Sequence, residues 1–285
     1  MQLVTFVHRG ETRLGARVHD SVLDLNRAQP SLPSEILAFL NAGEAAMTLA
    51  RETAQRSDPR FLLPEKAITL LAPIPRPGKI ICIGHNYHGH TGANPPAYPD
   101  VFAKFNNVVL APNQPIILPR ISTQVDYEGE LAVVIGTPAR RVSKDHAHDF
   151  IAGYAIFNDV SARDFQKRQS QWTMGKTFDT FGPLGPALVT RDEIAEVGDL
   201  DLSLWVNGEL RQQVNTRDLI FSVPFLIAYL SQAMTLEPGD LIATGTPSGT
   251  GSSRQPPIFL RAGDVVKISI EKIGVLENPV ADQIA

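Results

Sequence analysis

Asp126-Tyr127-Glu128-Gly129-Glu130 precedes the apolar run Leu131-Ala132-Val133-Val134-Ile135, and a second apolar run, Tyr154-Ala155-Ile156-Phe157, leads into Asn158-Asp159. Both runs have the composition of buried strands with acids at one end. Alternate side chains of a strand share a face, so Glu128 and Glu130 stand side by side, with Asp126 one step earlier. Carboxylates crowded on one face repel, and burying them is costly unless a cation joins them. If the two strands are neighbours, Asp159 completes a three-oxygen set. Carboxylates without cysteine or an adjacent histidine suit a hard ion such as Mg²⁺, Mn²⁺ or Ca²⁺ better than a structural zinc. The competing reading puts Glu128 and Glu130 on the solvent side of an edge strand.

Three histidines, His85, His88 and His90, fall within six residues of the segment Gly84-His85-Asn86-Tyr87-His88-Gly89-His90. They lack the thiolate or the helical i, i+4 pairing of a transition-metal site. A Gly-rich loop leaving a buried strand is instead a good place for one general base working near neutral pH.

These residues need elements to position them. The first seventy residues read as short strands at Leu3 to Val7, Arg13 to Val18 and Val22 to Leu25, then a helix from about Pro33 to Arg56. Ala72-Pro73-Ile74-Pro75-Arg76-Pro77-Gly78 can continue neither a helix nor a central strand. It marks the expected boundary between a small N-terminal unit, residues 1–72, and a catalytic body, residues 73–285. In the body, strands dominate: Ile80 to Ile83, Val101 to Phe105, Ile116 to Leu118, Tyr127 to Ile135, Tyr154 to Asp159, Leu202 to Val206, Arg211 to Val214, Asp240 to Thr244 and Val265 to Glu271. Asn207-Gly208 is a strong hairpin signal. Leu219 to Met234 reads as a buried helix, too short and too polar to span a bilayer. The sum is an α+β fold, strand-rich, with few helices.

With 26 Lys plus Arg against 30 Asp plus Glu, the formal charge is −4, which offers no general footprint for nucleic acid or an anionic membrane. Small-molecule chemistry is the better expectation. The single cysteine, Cys82, sits in the apolar stretch Ile80-Ile81-Cys82-Ile83 and reads as a core residue. No basic leader followed by an apolar run opens the sequence, so a cytoplasmic protein is expected.

Six strings occur in order: Gly84-His85-Asn86-Tyr87-His88-Gly89-His90, Phe102-Ala103-Lys104, Asp126-Tyr127-Glu128-Gly129-Glu130, Asp159-Val160-Ser161-Ala162-Arg163-Asp164-Phe165-Gln166, Gly175-Lys176-Thr177-Phe178-Asp179-Thr180 and Gly245-Thr246-Pro247-Ser248-Gly249. Together, from about Lys79 to the C-terminus, they resemble the fumarylacetoacetate hydrolase superfamily. The stretch from Gln171 to Pro183 is most similar to its hydrolases of 2,4-diketo-3-deoxy sugar acids and acylpyruvates. The resemblance implies a β-roll-like catalytic body with the site in its mouth, a small N-terminal α+β domain and a homodimer. It also implies Mg²⁺ or Mn²⁺ on Glu128, Glu130 and Asp159, and hydrolytic cleavage of a C–C bond in a 2,4-diketo acid. By the same resemblance Lys176 faces the substrate, Arg163, Gln166 and Thr246 contact or orient it, and His90 is the catalytic base. Lys104 matches a family lysine, although a solvated surface lysine would read the same.

One departure bears on mechanism. Many hydrolases of this family carry Glu three residues after the histidine, where this chain has Ala93. Either another acid, such as Asp100, serves the base, or the reaction needs no hydrolytic water. The second case leads to a decarboxylase, lyase or isomerase of an oxo acid such as oxaloacetate. A family member that binds ligand without turnover is the third reading.

Overall fold

The computed structural model describes residues 1–89 and 95–284. His90 and Ala93 therefore lie outside the described residues. Two sheets carry the architecture. The larger has twelve strands, ten of them in the order Leu62–Pro64, Ser21–Asp24, Glu11–Val18, Gln2–His8, Gly182–Thr190, Ile151–Asn158, Gly129–Ile135, Leu241–Ala243, Ile80–Gly84, Asp100–Lys104. The smaller has five: Glu209–Asn215, Asp201–Val206, Val265–Ile270, Gly274–Asp282 and Ile116–Leu118. This strand-rich α+β body matches the fold class expected from the sequence.

The N-terminal strands join the same large sheet, with Gln2 opposite Val189 and Leu3 opposite Leu188. The helix expected as one rod from Pro33 to Arg56 is two, Ile36–Asn41 and Gly43–Arg56. The break falls where Gly43 takes a left-handed φ of 72°, a conformation glycine adopts without steric cost. Asn207 and Gly208, at φ 54° and 80°, make the expected hairpin turn. The expected buried helix spans Val223–Ala233, with Pro224 in its first turn. No helix among the described residues is long and apolar enough to cross a membrane.

The acidic strand is central. Gly129–Ile135 is buried along its whole length and lies between Ile151–Asn158 and Leu241–Ala243. This excludes the solvent-facing edge-strand reading of Glu128 and Glu130. The strand starts later than expected, at Gly129, and Val125–Asp126 forms a separate ribbon with Ser161–Ala162. Asp126 is thereby taken off the face that Glu128 and Glu130 were expected to share with it.

Candidate active site

Neighbouring strands bring the three carboxylates together. Gly129 pairs with Asn158 and Glu130 with Phe157, so Asp159, one residue past its strand, lies beside Glu128. Two bonds lock this corner: Glu128 N–H donates to Asn158 Oδ1 at 3.0 Å, and Asp159 N–H donates to the Glu128 carbonyl at 2.9 Å. One carboxylate oxygen each from Glu128, Glu130 and Asp159 lie within 4.8 Å of one another, and all three residues are buried.

Three buried cations face these acids. Lys176 Nζ donates to Glu128 Oε2 at 2.8 Å and to Asp159 Oδ2 at 2.6 Å, and sits 4.9 Å from the centroid of the Phe102 ring. Lys104 Nζ reaches Asp159 Oδ1 at 2.5 Å and the Val160 carbonyl at 2.9 Å. Lys104 is thus a buried member of the site, and the surface-lysine reading falls. Arg163 bonds Asp126 through Nε at 2.8 Å and Glu128 through Nη2 at 2.6 Å. Arg163 does not pair with its chain neighbour Asp164, which accepts from Ser122 Oγ at 2.7 Å.

Asp126 is a clamp. Besides Arg163, its carboxylate accepts from the N–H groups of Tyr127, Gly251 and Ser252. It ties the loop beyond Thr250 to the arginine, and it stands apart from the three-carboxylate group.

Counting Asp126, Glu128, Glu130 and Asp159 against Lys104, Arg163 and Lys176 gives four buried acids to three buried cations. The excess falls on Glu130. It accepts from Gly245 N–H at 2.9 Å, and no lysine or arginine among the described residues is bonded to it. Burial, with Asp159 and Glu128 beside it, raises its carboxyl well above the ordinary range. Burial pushes Glu128 the same way, but Arg163 and Lys176 outweigh it and hold that carboxyl at about 2. For Lys176 burial favours the neutral form, and Asp159 and Glu128 more than reverse this, so it stays an ammonium. Burial prevails at Lys104, whose pKa is lowered although Asp159 opposes the shift. A buried, oxygen-only triad with one uncompensated carboxylate fits a hard divalent cation.

The cavity over these groups is a narrow pocket of about 70 Å³, walled by Phe102 and Trp172 and bordered by Glu128, Glu130, Lys176 and Thr246. It adjoins an outer bay of about 450 Å³ with a polar rim that includes Lys167, Ser170 and Ser252; the two share His85, Glu128, Arg163, Gln166 and Trp172. Gln166 Oε1 accepts from Arg163 Nη1 at 2.9 Å. Thr246 Oγ1 donates to the Gly129 carbonyl at 3.1 Å and accepts from Gln212 Nε2 at 2.9 Å. The structure therefore brings together Glu128, Glu130, Asp159, Lys176, Arg163, Gln166 and Thr246. Trp172 lines the pocket, whereas Phe181 is core.

Gln212 escaped the sequence reading. It lies on the strand after the Asn207-Gly208 turn, outside the six strings, and its Oε1 also accepts from Gly129 N–H at 3.0 Å. Nothing local distinguishes it from a solvent-facing strand glutamine.

Lys176 stands where it does because two one-turn helices, Arg163–Gln166 and Thr173–Lys176, pack backbone to backbone. A Cβ on Gly175 would lie 2.5 Å from Gln166 N and 2.6 Å from its Cα. Gly175→Ala is therefore expected to cost about 1–3 kcal/mol in denaturant unfolding, the range for forced overpacking, and to lower kcat by displacing Lys176. Unchanged values of both would show that the two helices do not set the lysine.

Residues 79–281 match the model of the fumarylacetoacetate (FAA) hydrolase C-terminal family. The chain is 44% identical over 288 residues to the rat (Rattus norvegicus) mitochondrial oxaloacetate tautomerase Fahd2a, covering 98% of this chain and 91% of the relative. Its identity to the Xenopus laevis mitochondrial oxaloacetate tautomerase fahd2 is 44% over 275 residues, 94% of this chain and 86% of the other. Among solved structures, maleylpyruvate hydrolase from Sphingobium sp. SYK-6, in complex with manganese (II) and pyruvate, superposes with a TM-score of 0.83 at 32% identity, covering all of both chains. The cytoplasmic expectation is corrected by these mitochondrial relatives. That expectation rested on the opening residues alone, which do not decide the compartment.

Proposed function

The chain belongs to the fumarylacetoacetate hydrolase family, and we propose that it interconverts the oxo and enol forms of a small dicarboxylic oxo acid of the oxaloacetate type. In this reading Glu128, Glu130 and Asp159 hold one divalent ion, Mg²⁺ or Mn²⁺. The observation that carries it is the buried triad with Lys176 between two of its carboxylates, at the floor of a pocket of about 70 Å³. Such a pocket suits a small acid. The tautomerase names of relatives spanning nine-tenths of the chain support this reading ahead of the hydrolysis first expected.

When bound, the ion supplies Lewis-acid polarisation of the substrate's 2-oxo oxygen. The side chains do the rest. Lys176 and Arg163 present fixed positive charge to the negative charge that grows as the neighbouring carbon loses its proton. Asp126 holds Arg163 on Glu128, and Gln166 and Thr246 offer polar atoms at the rim. Phe102 and Trp172 keep the pocket narrow and exclude bulk water.

Hydrolysis of a longer diketo acid is the second reading, favoured by the outer bay of about 450 Å³ and by the maleylpyruvate hydrolase likeness. A panel of oxaloacetate, an acylpyruvate and maleylpyruvate separates the two by product mass. With protein stripped by chelator and reloaded with Mg²⁺ or Mn²⁺, the expected product is oxaloacetate of unchanged mass in its other tautomer, formed only by reloaded protein. Water uptake with two carbon products would establish the hydrolase instead, and loss of CO₂ a decarboxylase.

A further inference from the structure

The indole of Trp172 stands where the narrow pocket meets the outer bay. Strand Ile80–Gly84 runs antiparallel to Asp100–Lys104, with Cys82 opposite Phe102 and Gly84 opposite Asp100, so Gly84 and Phe102 share one face of the pair. Gly84 leaves the space that the indole takes: a Cβ there would lie 2.7 Å from the edge of its ring. Phe102 meets the indole edge-on at 5.2 Å between centroids, and the His85 ring meets it edge-on at 5.6 Å. The main chain holds it as well. Gly175 N–H donates to the Trp172 carbonyl at 2.8 Å, at the start of the Thr173–Lys176 helix. Trp172 occupies that cap position through its backbone and not through its side chain, so the indole serves as wall.

Five described residues border both cavities: His85, Glu128, Arg163, Gln166 and Trp172. Glu128 and Gln166 are bonded to Arg163, and His85 to Asp100. Trp172 supplies the broad apolar surface at that border. Glu130, Lys176 and Phe102 lie on its inner side, and Lys167, Gln169 and Ser170 on its outer side. Resting on the tautomerase reading, we propose that Trp172 is a specificity-determining residue of this chain: its indole admits a 2-oxo acid with a carboxylate on the third carbon, as in oxaloacetate, and rejects one that carries an aryl group there.

The selection is steric. A 2-oxo acid anchored at the triad directs the group on its third carbon toward the border that Trp172 walls. An aryl group needs the volume that the indole fills, whereas a carboxylate is smaller and meets the polar rim beyond. The indole is hemmed by Phe102, His85 and the strand at Gly84, and it cannot swing aside without losing those contacts. Removing the indole leaves an apolar space next to Phe102, and a space of that kind takes up an aromatic ring. Trp172 moves no proton; it acts on which acid enters.

The test uses full-length protein reloaded with Mn²⁺, with its Trp172→Ala and Trp172→Phe variants; phenylalanine keeps a ring against Phe102 should alanine impair folding. Calorimetric titration with oxalate, which chelates and has no third carbon, and with phenylpyruvate, which carries an aryl group on it, reads the wall apart from the chemistry. Wild type is expected to bind phenylpyruvate about 10-fold or more weakly than oxalate. The ratio of the phenylpyruvate Kd to the oxalate Kd is expected to fall by about 10-fold or more in Trp172→Ala, and by less in Trp172→Phe. In turnover, kcat/KM for phenylpyruvate relative to oxaloacetate is expected to rise in the same order, while oxaloacetate turnover itself falls as water enters the opened pocket. A Kd ratio unmoved in both variants, with both ligands weakened alike, would overturn the proposal and leave Trp172 a support for the Lys176 helix. Wild-type protein that binds phenylpyruvate as tightly as oxalate would overturn it too. Oxaloacetate left unconverted by wild type would sink the tautomerase reading, and the Kd ratio, which needs no turnover, would still decide on Trp172.

Discussion

Lys176→Met is expected to abolish measurable turnover and to destabilise the metal-free protein by about 3–5 kcal/mol, the cost of breaking a buried ion pair by removing one partner. The lysine is 2% exposed and its ammonium bonds Glu128 and Asp159 at 2.8 and 2.6 Å. Methionine fills similar space and leaves both carboxylates without that cation, beside a Glu130 to which no lysine or arginine among the described residues is bonded. Turnover should fall by about 100-fold or more, as for removal of a group that meets developing negative charge. Saturating Mn²⁺ should recover part of the lost stability, because an ion that binds only the folded chain supplies the missing positive charge. Denaturant unfolding with and without Mn²⁺, beside kcat, checks all three. A stability loss below about 1 kcal/mol, the level of an exposed pair, would show that Lys176 does not hold the two acids in solution.

Glu130→Gln should separate stability from metal binding. The amide keeps an oxygen for Gly245 N–H, which donates to Glu130 at 2.9 Å, and it removes a buried charge whose ionised form burial and two neighbouring acids already disfavour. The metal-free variant is therefore expected to be as stable as wild type, or more stable by about 1–3 kcal/mol. Its Mn²⁺ affinity, read by calorimetric titration, should fall by about 100-fold or more, beyond the loss that follows removal of an outer hydrogen-bond partner. A metal-free variant much less stable than wild type, with Mn²⁺ affinity retained, would mean that Glu130 is a structural acid and no ligand.

Sequence reasoning went furthest where the chemistry is local. Glu128, Glu130 and Asp159 each stand at the end of an apolar run, and apolar runs in this body become central strands, so acids at their ends meet. Lys176, Arg163, Gln166 and Thr246 came from the resemblance and gather at the same pocket. Asp126 was misplaced because alternation holds only within a continuous strand, and this one is interrupted at Tyr127 and Glu128. Lys104 was ambiguous for a different reason. A lysine at the end of an edge strand reads the same whether it meets solvent or Asp159, and only the fold decides. The single helix was overcalled because apolar spacing continues across Gly43, where the backbone does not.

What stayed hidden depends on pairing between distant segments. Gln2–His8 meets Gly182–Thr190 across more than half of the sequence. His85 meets Asp100 only because two strands run antiparallel with Gly84 opposite Asp100. From sequence Asp100 appeared as a candidate partner for His90, which lies outside the described residues; among those described, the ladder register brings Asp100 to His85.

The most direct measurement is the rate of oxo–enol interconversion of oxaloacetate by metal-stripped wild-type protein, before and after Mg²⁺ or Mn²⁺ is added back, with Glu128→Ala alongside. Acceleration that appears only with the ion and is lost in Glu128→Ala is the predicted result. Acceleration by the stripped protein, or by Glu128→Ala as well as by wild type, would contradict a metal-dependent tautomerase built on this triad.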